Sequence, residues 1–94
     1  MKKVVCICGS GLGSSFLVEM NVKSILKELG LSKVEVEHTD VGSAWPGMAD
    51  LIVCGSDLAS VLARNGEILS LNNIMDKNEL KEKLQEYLSK NNVL

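Results

Sequence analysis

Val4-Val5-Cys6-Ile7-Cys8-Gly9-Ser10-Gly11-Leu12-Gly13-Ser14-Ser15 is the stretch on which the reading of this chain turns. Its first five residues are continuously apolar, as a central parallel strand covered on both faces requires. Three glycines then alternate with Ser10 and Leu12. Behind them Val18, Val22, Ile25 and Leu29 recur at helical spacing and predict one buried stripe. Ser14 or Ser15 is placed to cap that helix and Gly30 to end it. Glu19 and Lys23, four apart, are expected as an ion pair on its outer face.

Further along, Lys33 to His38 alternates polar and apolar, which predicts a half-exposed strand at a sheet edge. His38 reads as a surface residue at its end. The stretch from Thr39 to Gly47 is irregular and holds the only Trp and the only Pro. Asp50 to Cys54 is a second buried run, stopped by Gly55. Ser56 is expected to cap a short helix through Leu58, Val61 and Leu62, broken at Asn65-Gly66. Ile68 to Leu71 gives a fourth strand. Asp76 and Glu79 have capping-box spacing and start a helix to about Lys90 that buries Leu80, Leu84, Tyr87 and Leu88. This alternation implies an α/β fold: a four-stranded parallel sheet, order 2-1-3-4, with helices on both faces. It resembles the small phosphatase and flavodoxin-like folds. The ligand crevice of such a sheet lies beyond the carboxyl end of strand 1, where Cys8 stands.

The bulk numbers bound the function. The 94 residues suit one domain spanning the whole sequence. A net charge of -2 excludes the basic surface that nucleic acid calls for, so no nucleic-acid partner is expected. No run approaches the ~20 apolar residues of a membrane span. The apolar run behind Lys2 and Lys3 is too short for an export signal, so the expected location is cytoplasmic. Three cysteines, Cys6, Cys8 and Cys54, are an odd set for a disulfide framework. With one histidine and no Cys-x-x-Cys pair, neither a metal nor a cofactor is expected. Cys6 and Cys54 read as small buried hydrophobes.

The loop carries the chemistry. Glycine tolerates positive φ, so Gly9, Gly11 and Gly13 let the backbone curl and aim successive N–H groups inward. The following helix adds its unpaired N–H groups and positive dipole end. Together with the Ser10, Ser14 and Ser15 hydroxyls this makes a cradle for a phosphate-like dianion. The same field should lower the pKa of the Cys8 thiol and favour the nucleophilic thiolate. Other phosphate loops fit poorly. A dinucleotide fingerprint needs G-x-G-x-x-G/A, and here Ser14 falls on the third small position; a Walker loop needs Gly-Lys-Ser/Thr. A cysteine phosphatase needs an Arg six residues after the cysteine, where Ser14 stands, and an Asp-Pro acid, whereas Pro46 follows Trp45. Without them a phosphocysteine should persist until an acceptor arrives.

The segment from Val5 to Ser15 resembles the phosphocysteine loop of IIB components of the phosphoenolpyruvate-dependent sugar phosphotransferase system (PTS). The ascorbate-type branch of the lactose/cellobiose-like IIB family, with its Cys-Gly-x-Gly-x-Gly-Ser/Thr-Ser pattern, is the nearest in kind. Length, element order, the Val41-Gly42 pair and the C-terminal helix are compatible along nearly the whole chain. The resemblance implies that Cys8 accepts a phosphoryl group from a phosphohistidine of a IIA protein. It implies that Gly9, Ser10, Gly11, Leu12, Gly13, Ser14 and Ser15 bind the phosphate. It further implies docking at the membrane on a IIC permease and transfer to a sugar or sugar acid, ascorbate first among them. Leu12 and Phe16 are candidates for a docking patch, with core as the other reading for Phe16. The alternatives are a regulatory module that senses phosphorylation and, third, a cysteine-dependent phosphatase or thiol redox enzyme.

Overall fold

The computed structural model describes residues 1–8 and 12–93, with residues 12 and 13 described in backbone only. In chain order the elements are β1 (Lys3–Ile7), α1 (Leu12–Glu28), β2 (Glu35–Thr39), β3 (Leu51–Gly55), α2 (Ala59–Leu62), β4 (Ile68–Leu71) and α3 (Lys77–Lys90). Each strand pair is parallel and the order is β2-β1-β3-β4, as the alternation predicts. No helix among the described residues is long and apolar enough to cross a membrane.

Alternate residues along each strand build two cores. Val4 and Cys6 of β1, Leu51 and Val53 of β3, and Leu69 and Leu71 of β4 pack with Val18, Val22, Ile25 and Leu26 of α1 and Leu80, Leu84 and Leu88 of α3. Val5, Ile7, Ile52 and Cys54 face the other way, onto Leu62 of α2 and the segment holding Val41, Ala44 and Met48. The two-residue period of the pleat therefore sorts one apolar run into two layers.

The helix ends follow from local chemistry, with corrections. Gly30 has φ +79, and its neighbour Leu31 donates back to the Leu26 carbonyl at 2.8 Å. That bond, with Gly30 N–H on the Lys27 carbonyl at 3.2 Å, is the Schellman closure expected there. Ser14 and Ser15 are not caps. Because α1 already begins at Leu12, both lie inside its first turn. Ser15 is fully buried, on the same stripe as Val18 and Val22, where a small side chain lets the helix approach the sheet. Ser56 does not cap α2 either. Its N–H continues the ladder onto the Leu71 carbonyl at 2.8 Å, and α2 starts three residues later, behind Leu58. Val61, expected in the apolar face of α2, is 59% exposed, since a single turn buries only Leu62.

Asp76 caps α3 through the N–H groups of Asn78 and Glu79. Glu79 does not complete the box. Its carboxylate instead accepts the N–H groups of Asn72 (2.7 Å) and Asn73 (2.9 Å) and an ammonium hydrogen bond from Lys83 (2.8 Å). Lys83 first, then the two backbone donors, hold the Glu79 carboxyl down at about 2. The loop leaving β4 is thereby fastened to the start of α3. Tyr87, expected in the core, is only partly buried at its margin.

Candidate functional site

The carboxyl ends of β1, β3 and β4 meet at a crevice of about 230 Å³, lined by Cys8, Gly55, Ser56, Asp57, Leu71, Asn72, Asn73 and Ile74. It spans the ends of these three strands and reaches, through Cys8, the point between β1 and β3 where the sheet's winding direction changes. Cys8 reaches it because β1 ends at Ile7, leaving the next residue at the rim. Gly55 ends β3 and opens the floor. A Cβ there would stand 2.5 Å from Asp57 Oδ1, so the Asp57 carboxylate folds back over the strand end. Asn72 and Asn73 form the far wall, held by the Glu79 carboxylate.

All three cysteines are free and buried. Cys6 and Cys54 sit in the two opposite cores, as small hydrophobes would. Burial, then the neighbouring Cys8 and Glu19, pushes the Cys6 thiol far up. Burial, then Asp57, raises Cys54 to about 11. Cys8 differs from both in lining the crevice. Its thiol does not show the lowered pKa expected from the loop. Burial first, and then the Asp57 carboxylate, push it above the ordinary value. Gly9, Ser10 and Gly11 lie outside the described residues, as does the side chain of Leu12, and Gly13 is described in backbone only. Ser14 and Ser15 stand in the first turn of α1, and neither is without a partner.

Sequence reasoning missed the far side of the crevice. Ser56, Asp57, Asn72 and Asn73 each follow closely on a predicted strand, and that position was the available signal. Glu19 was misplaced too. It is paired with Lys23 at 2.9 Å as expected, but it is buried rather than on the outer face. Its other oxygen lies 2.5 Å from Nδ1 of His38, at the end of β2. His38 is therefore half-buried, not a surface residue, and it clamps α1 to the edge strand. Phe16 meets the His38 ring edge-on at a centroid distance of 5.5 Å. Phe16 is 49% exposed, so it is not core, and it flanks the glycine segment.

Burial alone would raise the Glu19 carboxyl, yet the hydrogen bonds from His38 and Lys23 outweigh it and hold it below its ordinary value. A carboxyl depressed on folding stabilises the fold above its unfolded pKa, and that stability is lost as pH falls through the folded value. Glu19→Gln should therefore cost about 1–3 kcal/mol at neutral pH. The gap between the two melting curves should close in acid. A gap constant down to the acid limb would show that the charge on Glu19 contributes nothing.

Among the described residues no group of three His, Cys, Asp or Glu is gathered as a metal site. Among those lining the crevice the one formal charge is Asp57, and Arg64 lies elsewhere, in the turn after α2. A phosphatase-like arginine over the sulfur is thus absent from the described lining.

The model of the family described as the PTS lactose/cellobiose-specific IIB subunit matches residues 3–86. The ascorbate-specific PTS system EIIB component of Mycoplasma pneumoniae is 34% identical over 88 residues, covering 90% of this chain and 93% of that protein.

Proposed function

The chain belongs to the lactose/cellobiose-specific IIB family of the PTS, and from that premise we propose that Cys8 is the residue that carries the phosphoryl group. A role in sugar phosphotransfer comes with the family. The observation that carries the finer reading is positional. Of three buried cysteines, Cys8 is the one that lines the crevice at the sheet's carboxyl end, directly ahead of the glycine segment and α1.

In this reading a IIA protein presents phosphohistidine. The Cys8 sulfur attacks phosphorus, the S–P bond forms and the N–P bond breaks. Backbone N–H groups from Gly9 to Ser15, with the Ser10 and Ser14 hydroxyls, hold the dianion's oxygens, while the buried Ser15 side chain seats the helix on the sheet. The half-exposed Phe16 beside this segment belongs to the surface the partners cover. The phosphorylated chain then meets a IIC permease at the cytoplasmic face of the membrane and passes the group to the incoming substrate. A sugar acid such as ascorbate is the proposed acceptor, because the relative from Mycoplasma pneumoniae is named ascorbate-specific.

The test is intact-protein mass spectrometry after incubation with phosphoenolpyruvate, the general phosphotransfer proteins and a IIA protein. The expected result is a gain of one phosphoryl group, located on the peptide bearing Cys8. No gain with several IIA donors, or turnover of an aryl phosphate by the chain alone, would overturn the proposal in favour of a thiol enzyme.

A further inference from the structure

The crevice contains a group that phosphate carriage alone does not explain. A carboxylate beside a site for a dianion is electrostatically adverse unless it takes part in the chemistry. Asp57 shares the lining with Cys8, and it is the only charged residue there among those described. Every salt bridge among the described residues lies elsewhere, so none of their cations neutralises it. Gly55 makes room for its Oδ1 over the end of β3.

Resting on the carrier reading above, we infer that Asp57 is the acid–base partner of Cys8: its carboxylate takes the thiol proton as the sulfur attacks phosphorus, and returns it when the phosphoryl group leaves. The need is plain from the site. Burial, and then the Asp57 carboxylate, disfavour the charged sulfur, whereas the attacking species is a thiolate. During acceptance the S–H proton passes to Asp57 and the S–P bond forms. The donor imidazole, protonated on its other nitrogen, keeps the N–P electron pair and leaves as the neutral ring. Asp57 holds that proton while the phosphate is present, so that it is at hand when the phosphoryl group leaves. On donation to a hydroxyl the S–P electron pair returns to sulfur, Asp57 protonates it, and the hydroxyl proton leaves to solvent.

The titratable groups facing Cys8 are few. From β1 comes the buried Cys6 thiol, and from β3 and the turn after it Cys54 and Asp57; the loop after β4 offers only Asn72 and Asn73, which are neutral. The donor imidazole titrates in every assay, so the readout is the change in pH profile between wild type and variant with the same donor.

The experiment uses Asp57→Asn in the full chain, with folding checked by thermal melting. Two rates are measured against pH: phosphoryl acceptance from phosphorylated IIA, and alkylation of Cys8 by iodoacetamide. Acceptance should fall by about 10²-fold or more and acquire a steep rise with pH as free thiolate takes over. Alkylation should become faster at the same pH, because the repelling carboxylate is gone. Gly55→Ala, whose Cβ displaces Oδ1, should shift both rates in the same directions with Asp57 still present. Opposite signs in the two assays are the signature of a base. If acceptance by Asp57→Asn is unchanged or faster, or its pH profile matches wild type, Asp57 only perturbs the field and the inference fails. A wild type that accepts nothing overturns the carrier reading and this inference together; a wild type that accepts beside an equally active variant overturns the inference alone.

Discussion

Cys8→Ser should leave the phosphotransfer mixture with its mass unchanged, while the wild type gains one phosphoryl group. The substitution replaces sulfur by oxygen at the same place and keeps the fold, since Cys8 sits at a strand end with one side to the crevice. What it removes is nucleophilicity. A serine hydroxyl is far harder to ionise than a thiol and is the weaker nucleophile at phosphorus. Acceptance should slow by about 10³-fold or more, in line with losses seen when a nucleophile is removed. Stability should move by no more than about 1 kcal/mol. Phosphorylation of the Cys8→Ser variant at the wild-type rate on another residue would place the carrier elsewhere.

The largest effect on folding is expected from Leu84→Ala. Leu84 is fully buried midway along α3, between Leu80 and Leu88, in the core shared with α1 and the sheet. Truncation removes transfer free energy and leaves a cavity, a loss of about 2–5 kcal/mol. A domain of this size has only about 5–15 kcal/mol in all. The urea midpoint should therefore drop by a third or more if the total lies at the lower end of that range. The loss also reaches the site, because α3 carries Glu79, which fastens Asn72 and Asn73 at the crevice wall. A cost under about 1 kcal/mol would mean that α3 is not locked into the core.

Patterns with a short period were legible in the sequence. The run from Val4 to Cys8, the stripe through Val18, Val22 and Ile25, and the stop at Gly30 each depend on neighbours within one turn or one pleat. The sheet order followed from connection rules applied to those elements. Interactions across the chain were not legible. Glu19 is four residues from Lys23, and that spacing suggested a solvated pair; its second partner, His38, is 19 residues away and on another element. Glu79 has capping spacing from Asp76, yet its stronger claim comes from two N–H groups in the preceding loop. Ser14 and Ser15 are good capping residues by type, but the helix starts earlier, and burial against the sheet decides the place of Ser15. The crevice followed the same division: Cys8 was marked by its own glycine segment, whereas Asp57 joins it only through the pairing of β1 with β3.

The pairing of Lys83 and the composition of β2 bear on how the two edges of the sheet meet other chains. A parallel sheet has two open edges, each able to recruit a strand from another molecule. The carbonyls of Glu67, just before β4, and of Leu71 are used inward by the β3 segment; of those that alternate with them, Ser70's is capped by Lys83 Nζ at 2.7 Å. The strand is only four residues long. On β2 exposed Glu35 and Glu37 alternate with Val36, and Lys3 bridges Glu37 at 3.1 Å, so an incoming backbone meets charge. Each edge thus carries a device of the kind that discourages strand addition: a lysine on a backbone carbonyl at β4 and charged side chains along β2.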